Sequence, residues 1–395
     1  MIAGNGTEVT MLYGETHLAL MASIRRMVDT EIEPFVEEWE EKGIFPAHDL
    51  FAKLGRAGFL GITKPAEYGG QGLDFSYAVA AAEAFGHISA GGVSMAIAVQ
   101  ADMATPALAR FGSDALRETY LAPAIAGEQV CAIGVSEPGS GSDVASIKTR
   151  AVRDGGDYVV TGTKMWITNA LQADWICLLA NTSDGPAHRN KSLIVLPVRE
   201  GGRLRPGIEM RAIRKLGNWS SDTAQVFLDG VRVPVTNRIG EEGRGFIYQM
   251  MQFQEERLSA AAKRLAAIDL ITMTADYLRT REAFGKPLLE NQFIQFKLAE
   301  LKTELEAVRG LVHLATEAYV AGRDVLELAS MAKLKAARVA REIADWCVQF
   351  QGGMGYTWEN RASRALRDYR LGSIGGGADE VMLGIIAKCM GLGGR

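Results

Sequence analysis

The chain changes its period twice, and that constrains its fold more than any other feature. Between about Val130 and Asn237 the texture turns to short β-like runs, alternating or wholly apolar, as in Tyr158–Val160, Trp175–Leu179, Leu193–Val198 and Ala224–Leu228. Gly, Asp and Asn turns separate these runs, which is the pattern of several short strands in an antiparallel barrel or sandwich. On either side, apolar residues recur every three or four positions, the period of helices. No strand–helix–strand alternation appears, and no G-x-G-x-x-G follows a strand, which argues against a Rossmann nucleotide site. The expectation is an α+β chain with an N-terminal helical domain, a middle antiparallel β-domain and a C-terminal four-helix bundle.

The boundaries follow the texture: an extension over 1–14, a helical domain over 15–129, a β-domain over 130–238 and a helical bundle over 239–395. The first ten residues are polar and Gly-rich, without the charged-then-apolar order of a secretory signal, and read as disordered. Ile24, Met27, Val28, Ile32 and Phe35 define the first helix. The run from Val93 to Phe111 is too apolar for a surface helix, so it is core or pocket wall. Phe246 to Phe284 predicts one helix on the order of 60 Å long, ending at Gly285-Lys286-Pro287. Ile294–Val312, Val325–Phe350 and Asp379–Met390 supply the other three bundle helices.

The densest local chemistry lies between Cys131 and Ala170. Ser136-Glu137-Pro138-Gly139-Ser140-Gly141-Ser142-Asp143 is a turn-rich loop of small hydroxyl residues. Such a loop lets backbone N–H groups approach a planar or anionic ligand. The residues after it read as two strands joined through Gly162, with Trp166 and Thr168 two apart and so on one face. An indole beside a hydroxyl suits a flat heterocycle, although a hairpin with a core Trp explains the same residues equally well.

Composition removes several function classes. Hydrophobic residues make up 48% of the 395, enough for a sizeable core, and a net charge of −4 without a basic run gives no reason to expect nucleic acid. No apolar run is long enough to span a membrane. Cys131, Cys177, Cys347 and Cys389 are far apart and read as buried thiols of a reducing compartment. The five His residues have no metal spacing, and no metal site is expected.

The pairing of S-E-P-G-S-G-S-D at 136–143 with G-T-K-M-W-I-T-N at 162–169 resembles the signature of the acyl-CoA dehydrogenase family of flavoproteins. The likeness continues in order through Lys215-Leu216-Gly217, Ser220–Thr223, Val231–Pro234, Arg281–Lys286, Gln349–Gly353 and Arg367-Asp368. It implies FAD-dependent oxidation of acyl-CoA to 2-enoyl-CoA: a Glu removes the α-proton and a hydride leaves the β-carbon for the flavin. It also implies an acyl-CoA substrate, an electron-transfer flavoprotein as acceptor, and a homotetramer built as a dimer of dimers. The compartment would be the cytoplasm in bacteria or the mitochondrial matrix in a eukaryote.

Residue by residue, the resemblance places Val135, Ser136, Gly141, Ser142, Trp166 and Thr168 against the flavin, with Ser142 also near the thioester. Arg281, Phe284, Gln292, Gln349 and Gly353 would hold the rest of FAD across a subunit interface. Met95, Gln100 and Met103 are pocket candidates beside the acyl chain, with Phe253 and Arg257 also facing substrate.

The chain departs from the family where a Glu often precedes the last helix, because Gly376 stands there. Its backbone N–H can still bind the thioester oxygen. The Glu-Arg pair on the long helix resembles the long-chain and isovaleryl-type branches, whose base sits there. Taking Phe246, Met250, Phe253 and Ile271 as the apolar stripe, Glu256 falls on its flank and Glu255 nearly opposite. Glu256 is therefore the expected base, with Glu255 its rival. Arg257, near the stripe centre, needs a carboxylate or a CoA group.

Ala283 and Ala378 replace hydroxyl residues common in the family. The segment 374–380 is similar to the citronellyl-CoA branch. An acyl-CoA oxidase, a flavin monooxygenase of the same fold, or a non-catalytic CoA- or flavin-binding protein remain as alternatives.

Overall fold

A computed structural model describes residues 12–392. The expected disordered extension over 1–14 lies outside them except for its last three residues, of which Tyr13 is buried and donates from Oη to Glu83 Oε2 at 3.0 Å.

The first helices are α1 (Glu15–Glu31), α2 (Ala47–Arg56), α3 (Phe75–Gly86) and α4 (Gly91–Ala98). Asp74 caps α3 by accepting from Ser76 N. The apolar run beginning at Val93 is not one helix. It passes through a π-helical turn, Val99–Met103, before α5 (Pro106–Phe111), and such turns recur at functional sites.

Eight strands follow: β1 (Cys131–Gly134), β2 (Arg150–Asp154), β3 (Asp157–Thr168), β4 (Trp175–Asn181), β5 (Lys191–Pro197), β6 (Ile208–Ala212), β7 (Thr223–Pro234) and β8 (Arg238–Ile239). They form one sheet in the order β8-β5-β4-β2-β3-β7-β6, with β1 pairing in parallel to β4. The other extended pairings are antiparallel, as expected. Both faces of β4 and β5 are buried. Ile176, Leu178 and Ile194 face the sheet's own core, while Trp175, Cys177, Leu179 and Val195 pack on the preceding helices and Tyr248.

The expected break at Gly162 is not there. The segment is one bent strand, β3, whose register to β7 slips between Val160 and Gly162 and again between Lys164 and Ile167. Gly162 has φ +156° where a Cβ would press on Thr149, and bulges use glycine in this way.

The last part is helical: α6 (Gly245–Lys263), α7 (Ile268–Thr280), α8 (Gln292–Val320), α9 (Leu326–Gln351), α10 (Arg361–Tyr369) and α11 (Asp379–Cys389). The long first helix of the bundle is thus broken by a 3-10 turn at Arg264–Ala267 and stops at Thr280. Residues 282–287 form a small hairpin. Leu258, Leu265 and Leu270 join Leu298, Leu305, Val312, Val339 and Ile343 in one core, so the bundle is held by burial of aliphatic side chains. Of the cysteines, Cys389 is exposed and the other three are buried. Among the described residues no helix is long and apolar enough to cross a membrane, and no group of metal-ligating side chains is assembled.

Candidate active site

The face of α6 turned into the protein is polar. Gln249, Gln252, Glu256 and Ser259 follow one another at spacings of three and four and are all buried. Of the expected apolar stripe, Phe246, Met250 and Phe253 are only half-buried, whereas Ile271, beyond the helix break, is buried. On α6 the structure differs from the expected stripe: the aromatic and Met side chains lie on the flank and the amides point inward.

Glu256 sits in the middle of that polar row. Gln252 Nε2 donates to its Oε1 at 2.9 Å, with Gln249 Nε2 at 3.5 Å. Gln252 Nε2 is also bonded to the carbonyl of Met103, which ties α6 to the π turn. Burial pushes the Glu256 carboxyl up to about 8, against the lowering effect of Gln252 and of Arg257. Uncharged amide donors hold the carboxylate without neutralising it.

Glu255 is a different case. Although expected nearly opposite the apolar stripe, it is as buried as Glu256. It pairs with Arg110 and accepts from Tyr319 Oη at 2.5 Å. One carboxylate is thus locked in an ion pair and its neighbour is left with amides. Neither Arg110 nor Tyr319 carried any local sequence signal, because both are remote in the chain. Of the two partners expected for Arg257, a carboxylate or a CoA group, the carboxylate is not found within the chain. Among the described residues Arg257 makes no ion pair, and its Nε has no hydrogen-bond partner.

Gly376 lies in the loop before α11 with φ +63°, exposed, and nothing within 4 Å of where a Cβ would stand. Among the described residues its N–H makes no hydrogen bond. The loop is held from behind by Lys333, whose ammonium donates to Gly377 O, and by Arg338, whose Nε is 3.0 Å from Asp379 Oδ2.

The loop at 135–143 is fixed by a buried ion pair. Lys164 Nζ reaches Glu137 Oε1 at 2.9 Å and Val135 O at 3.0 Å. Glu137 also accepts from Lys148 N at 2.6 Å and Thr149 N at 2.9 Å. Although burial opposes its charge, Lys164 and these N–H donors hold the Glu137 carboxyl below the usual range. Gly141 and Ser142 are exposed, and Gly139 and Gly141 have open space at the Cβ position.

Met165 N donates to Ser136 O at 2.9 Å, so loop and strand lie side by side. Beyond the bulge, Trp166 adopts φ +65°, an outlier for a bulky residue, and its indole is 58% exposed. Buried Ile167 is followed by half-buried Thr168. Asn169 then ties the strand end to α4 by donating to Ala96 O at 3.1 Å. The structure therefore brings Val135, Ser136, Trp166 and Thr168 together beside the end of α4.

Arg281, Phe284, Gln292, Gln349 and Gly353 form a second group, exposed at the adjoining ends of α7, α8 and α9. The Phe293 and Phe350 rings, 6.2 Å apart, join α8 to α9 there. Phe284, at φ +54°, is fully exposed.

Met95 and Met103 are half-buried near α6. Gln100 is not available to a ligand. Its Nε2 donates to Ala124 O and Gln129 O, and its Oε1 accepts from Cys131 N at 2.7 Å.

A flavin fits these residues on chemical grounds: an exposed indole held by strained backbone, an open glycine-rich loop, and orphaned buried oxygens of Gln249, Gln252 and Ser259 beside the candidate base.

Comparison with known proteins agrees along the whole chain. Models of the N-terminal, middle and C-terminal acyl-CoA dehydrogenase domains match residues 14–128, 132–231 and 243–391. The chain belongs to the acyl-CoA dehydrogenase family and is a flavoprotein oxidoreductase of that class.

It is 34% identical over 386 residues to the rat mitochondrial long-chain specific acyl-CoA dehydrogenase, covering 96% of this chain and 87% of the relative. It is 33% identical over 382 residues to the rice mitochondrial isovaleryl-CoA dehydrogenase, covering 96% and 92%. Among solved structures, a probable acyl-CoA dehydrogenase from Mycobacterium abscessus superposes with a TM-score of 0.91 at 38% identity, over 96% of this chain and 100% of that one.

Proposed function

We propose that the protein oxidises an acyl-CoA thioester to its 2-enoyl product with Glu256 as the base and FAD as cofactor. The observation that carries this is the contrast on α6, where Glu255 is neutralised by Arg110 while Glu256 is buried among amides with its carboxyl near 8. A base that must take a weakly acidic α-proton gains from a water-poor site and a raised affinity for protons.

Val135, Ser136, Gly141, Ser142, Trp166 and Thr168 are the residues to hold the flavin ring. Arg281, Phe284, Gln292, Gln349 and Gly353, exposed on one chain, suit contact with its remainder across a subunit interface. A bound flavin supplies a two-electron acceptor for the hydride that leaves the β-carbon. The chain's part is the proton: the α C–H bond breaks, the proton passes to Glu256, and the electron pair becomes the new double bond. The free N–H of Gly376 orients the thioester oxygen and stabilises the charge that develops there. Exposed apolar side chains on α8 suit a homotetramer. The family resemblance supports transfer of electrons to an electron-transfer flavoprotein and a cytoplasmic or mitochondrial-matrix setting.

The test is anaerobic titration of the purified flavoprotein with straight, branched and terpenoid acyl-CoAs, followed by flavin absorbance. Bleaching by some thioesters, absent in Glu256→Gln but present in Glu255→Gln, is the expected result. A yellow protein that no thioester reduces would sink the reading.

A further inference from the structure

Lys263 follows Glu256 by seven residues on α6. Two turns separate them, so they project from the same side, about 10 Å apart along the axis. Between α3, α4 and this end of α6 lies a cavity of about 30 Å³, room for a carboxylate-sized group. Its wall is mostly apolar, with Phe59, Ile62 and Phe85, and carries three charged side chains, Lys64, Asp102 and Lys263, beside Thr63 and Ser94. A second, smaller cavity shares Ser94 and Lys263 and opens toward Arg264 at the break in the helix.

Three charges in an apolar wall are expensive unless paired. Here none of them makes an ion pair among the described residues. Lys64 is 5% exposed, and its one hydrogen bond runs 3.4 Å to the adjacent Thr63 Oγ1. Lys263 Nζ donates only to Ser94 O at 2.9 Å. Burial pushes both ammonium groups down and the Asp102 carboxyl up. Two amino groups and one carboxyl, none of them ion-paired among the described residues, thus share the wall, with Glu255 and its partner Arg110 nearby.

It is also connected to the base. Asp102 precedes Met103, whose carbonyl is bonded to the amide that holds Glu256. A chain with its α-carbon at Glu256 and running along α6 reaches Lys263 after roughly eight carbon–carbon bonds of ~1.5 Å laid in zigzag. A plain hydrocarbon end gains nothing from such a terminus, whereas a carboxylate would accept from both lysines and give each the charged partner it lacks.

We propose that the cavity bounded by Lys64, Asp102 and Lys263 receives the far end of the acyl chain and selects medium-length thioesters whose chain ends in a carboxylate. This rests on the acyl-CoA dehydrogenase reading above and adds the substrate class.

The test compares kcat/KM of the wild-type flavoprotein for octanoyl-CoA with that for its ω-carboxy and ω-hydroxy counterparts. The ω-carboxy thioester is expected to lead by at least about tenfold, and Lys263→Met to lower that ratio by about tenfold or more. Calorimetric binding of redox-inert thioether analogues of the octanoyl and ω-carboxy chains should show the same preference and the same loss. Lys64→Met serves as the second variant should Lys263→Met not fold. Equal or better use of the plain or hydroxylated chain overturns the inference, as does a ratio that the lysine substitutions leave unchanged. Bleaching by the plain chain alone removes only this inference, whereas bleaching by no thioester removes the dehydrogenase reading and this one with it.

Discussion

Adjacent carboxylates on one helix meet opposite fates because of what reaches them from elsewhere in the chain. Glu255 meets Arg110 and Tyr319 and is held as a charged partner, whereas Glu256 meets only amides. Glu256→Gln preserves the hydrogen bonds and removes the proton acceptor. Flavin reduction by substrate is expected to slow by ~10²–10⁴-fold, measured by anaerobic stopped flow, with flavin content unchanged. Glu255→Gln instead strands the half-exposed Arg110. The expected loss is about 1–3 kcal/mol of stability, read from denaturant midpoints, with proton abstraction retained.

The carboxyl near 8 also sets a pH dependence. Only the ionised form can take a proton, so kcat/KM rises with pH and levels above about 8. Stability runs the other way. The folded chain keeps a proton that the unfolded chain releases in the ordinary carboxylate range. Its stabilising effect is complete below that range and fades as pH rises through about 8. A flat rate profile, or a stability slope unchanged in Glu256→Gln, would remove this assignment.

At the scale of elements, the loop before β2 depends on a pair that no solvent reaches. Lys164 and Glu137 are buried together, and Glu137 draws in the backbone of 148–149 while Lys164 draws in Val135. Lys164→Met leaves the carboxylate buried with its N–H donors but without its cation, a change worth ~3–5 kcal/mol. The loop that carries Ser136, Gly141 and Ser142 then loosens. The expected outcome is a lower melting temperature with a lower flavin-to-protein ratio, both measurable by absorbance.

This element also marks where sequence reasoning stops. Period two is plain in Tyr158–Val160, while Trp175–Leu179 and Leu193–Val198 read as strands because they are short continuous apolar runs, buried on both faces. The bulge that turns Trp166 outward breaks that period inside one continuous strand, so the pattern reads as two strands. Helical period likewise finds α6, α8 and α9. It fails on the inward face of α6, because Gln249, Gln252 and Ser259 read as solvent-facing until a pocket is known to be there. The same holds for Gln100, whose amide is spent on backbone groups brought to it only by the tertiary fold.

At the scale of the molecule, α8 presents a face that a single chain leaves bare. Phe296, Thr303, Ala307, Gly310 and Leu314 recur at helical spacing and are all exposed, with small residues in the middle and large apolar ones at the ends. Small residues allow close approach of another helix, and the apolar ends supply burial. A second copy of the chain is the occupant expected in the proposed tetramer. Light scattering of the wild-type protein should then give the mass of four chains.

Gly310→Glu tests the face without disturbing the fold within one chain, because nothing lies within 4 Å of the position of its Cβ. Ala307→Glu is exposed in the same way. Each places a charge in the middle of the contact, and burying an unpaired carboxylate is unfavourable enough to dissociate it. The variants should sediment as smaller species while keeping their helical circular dichroism. If both remained four-chain assemblies, α8 would not be the contact, and the bare face would need another explanation. If the wild type itself were a monomer, the second group of proposed flavin contacts would have no partner surface across which to act.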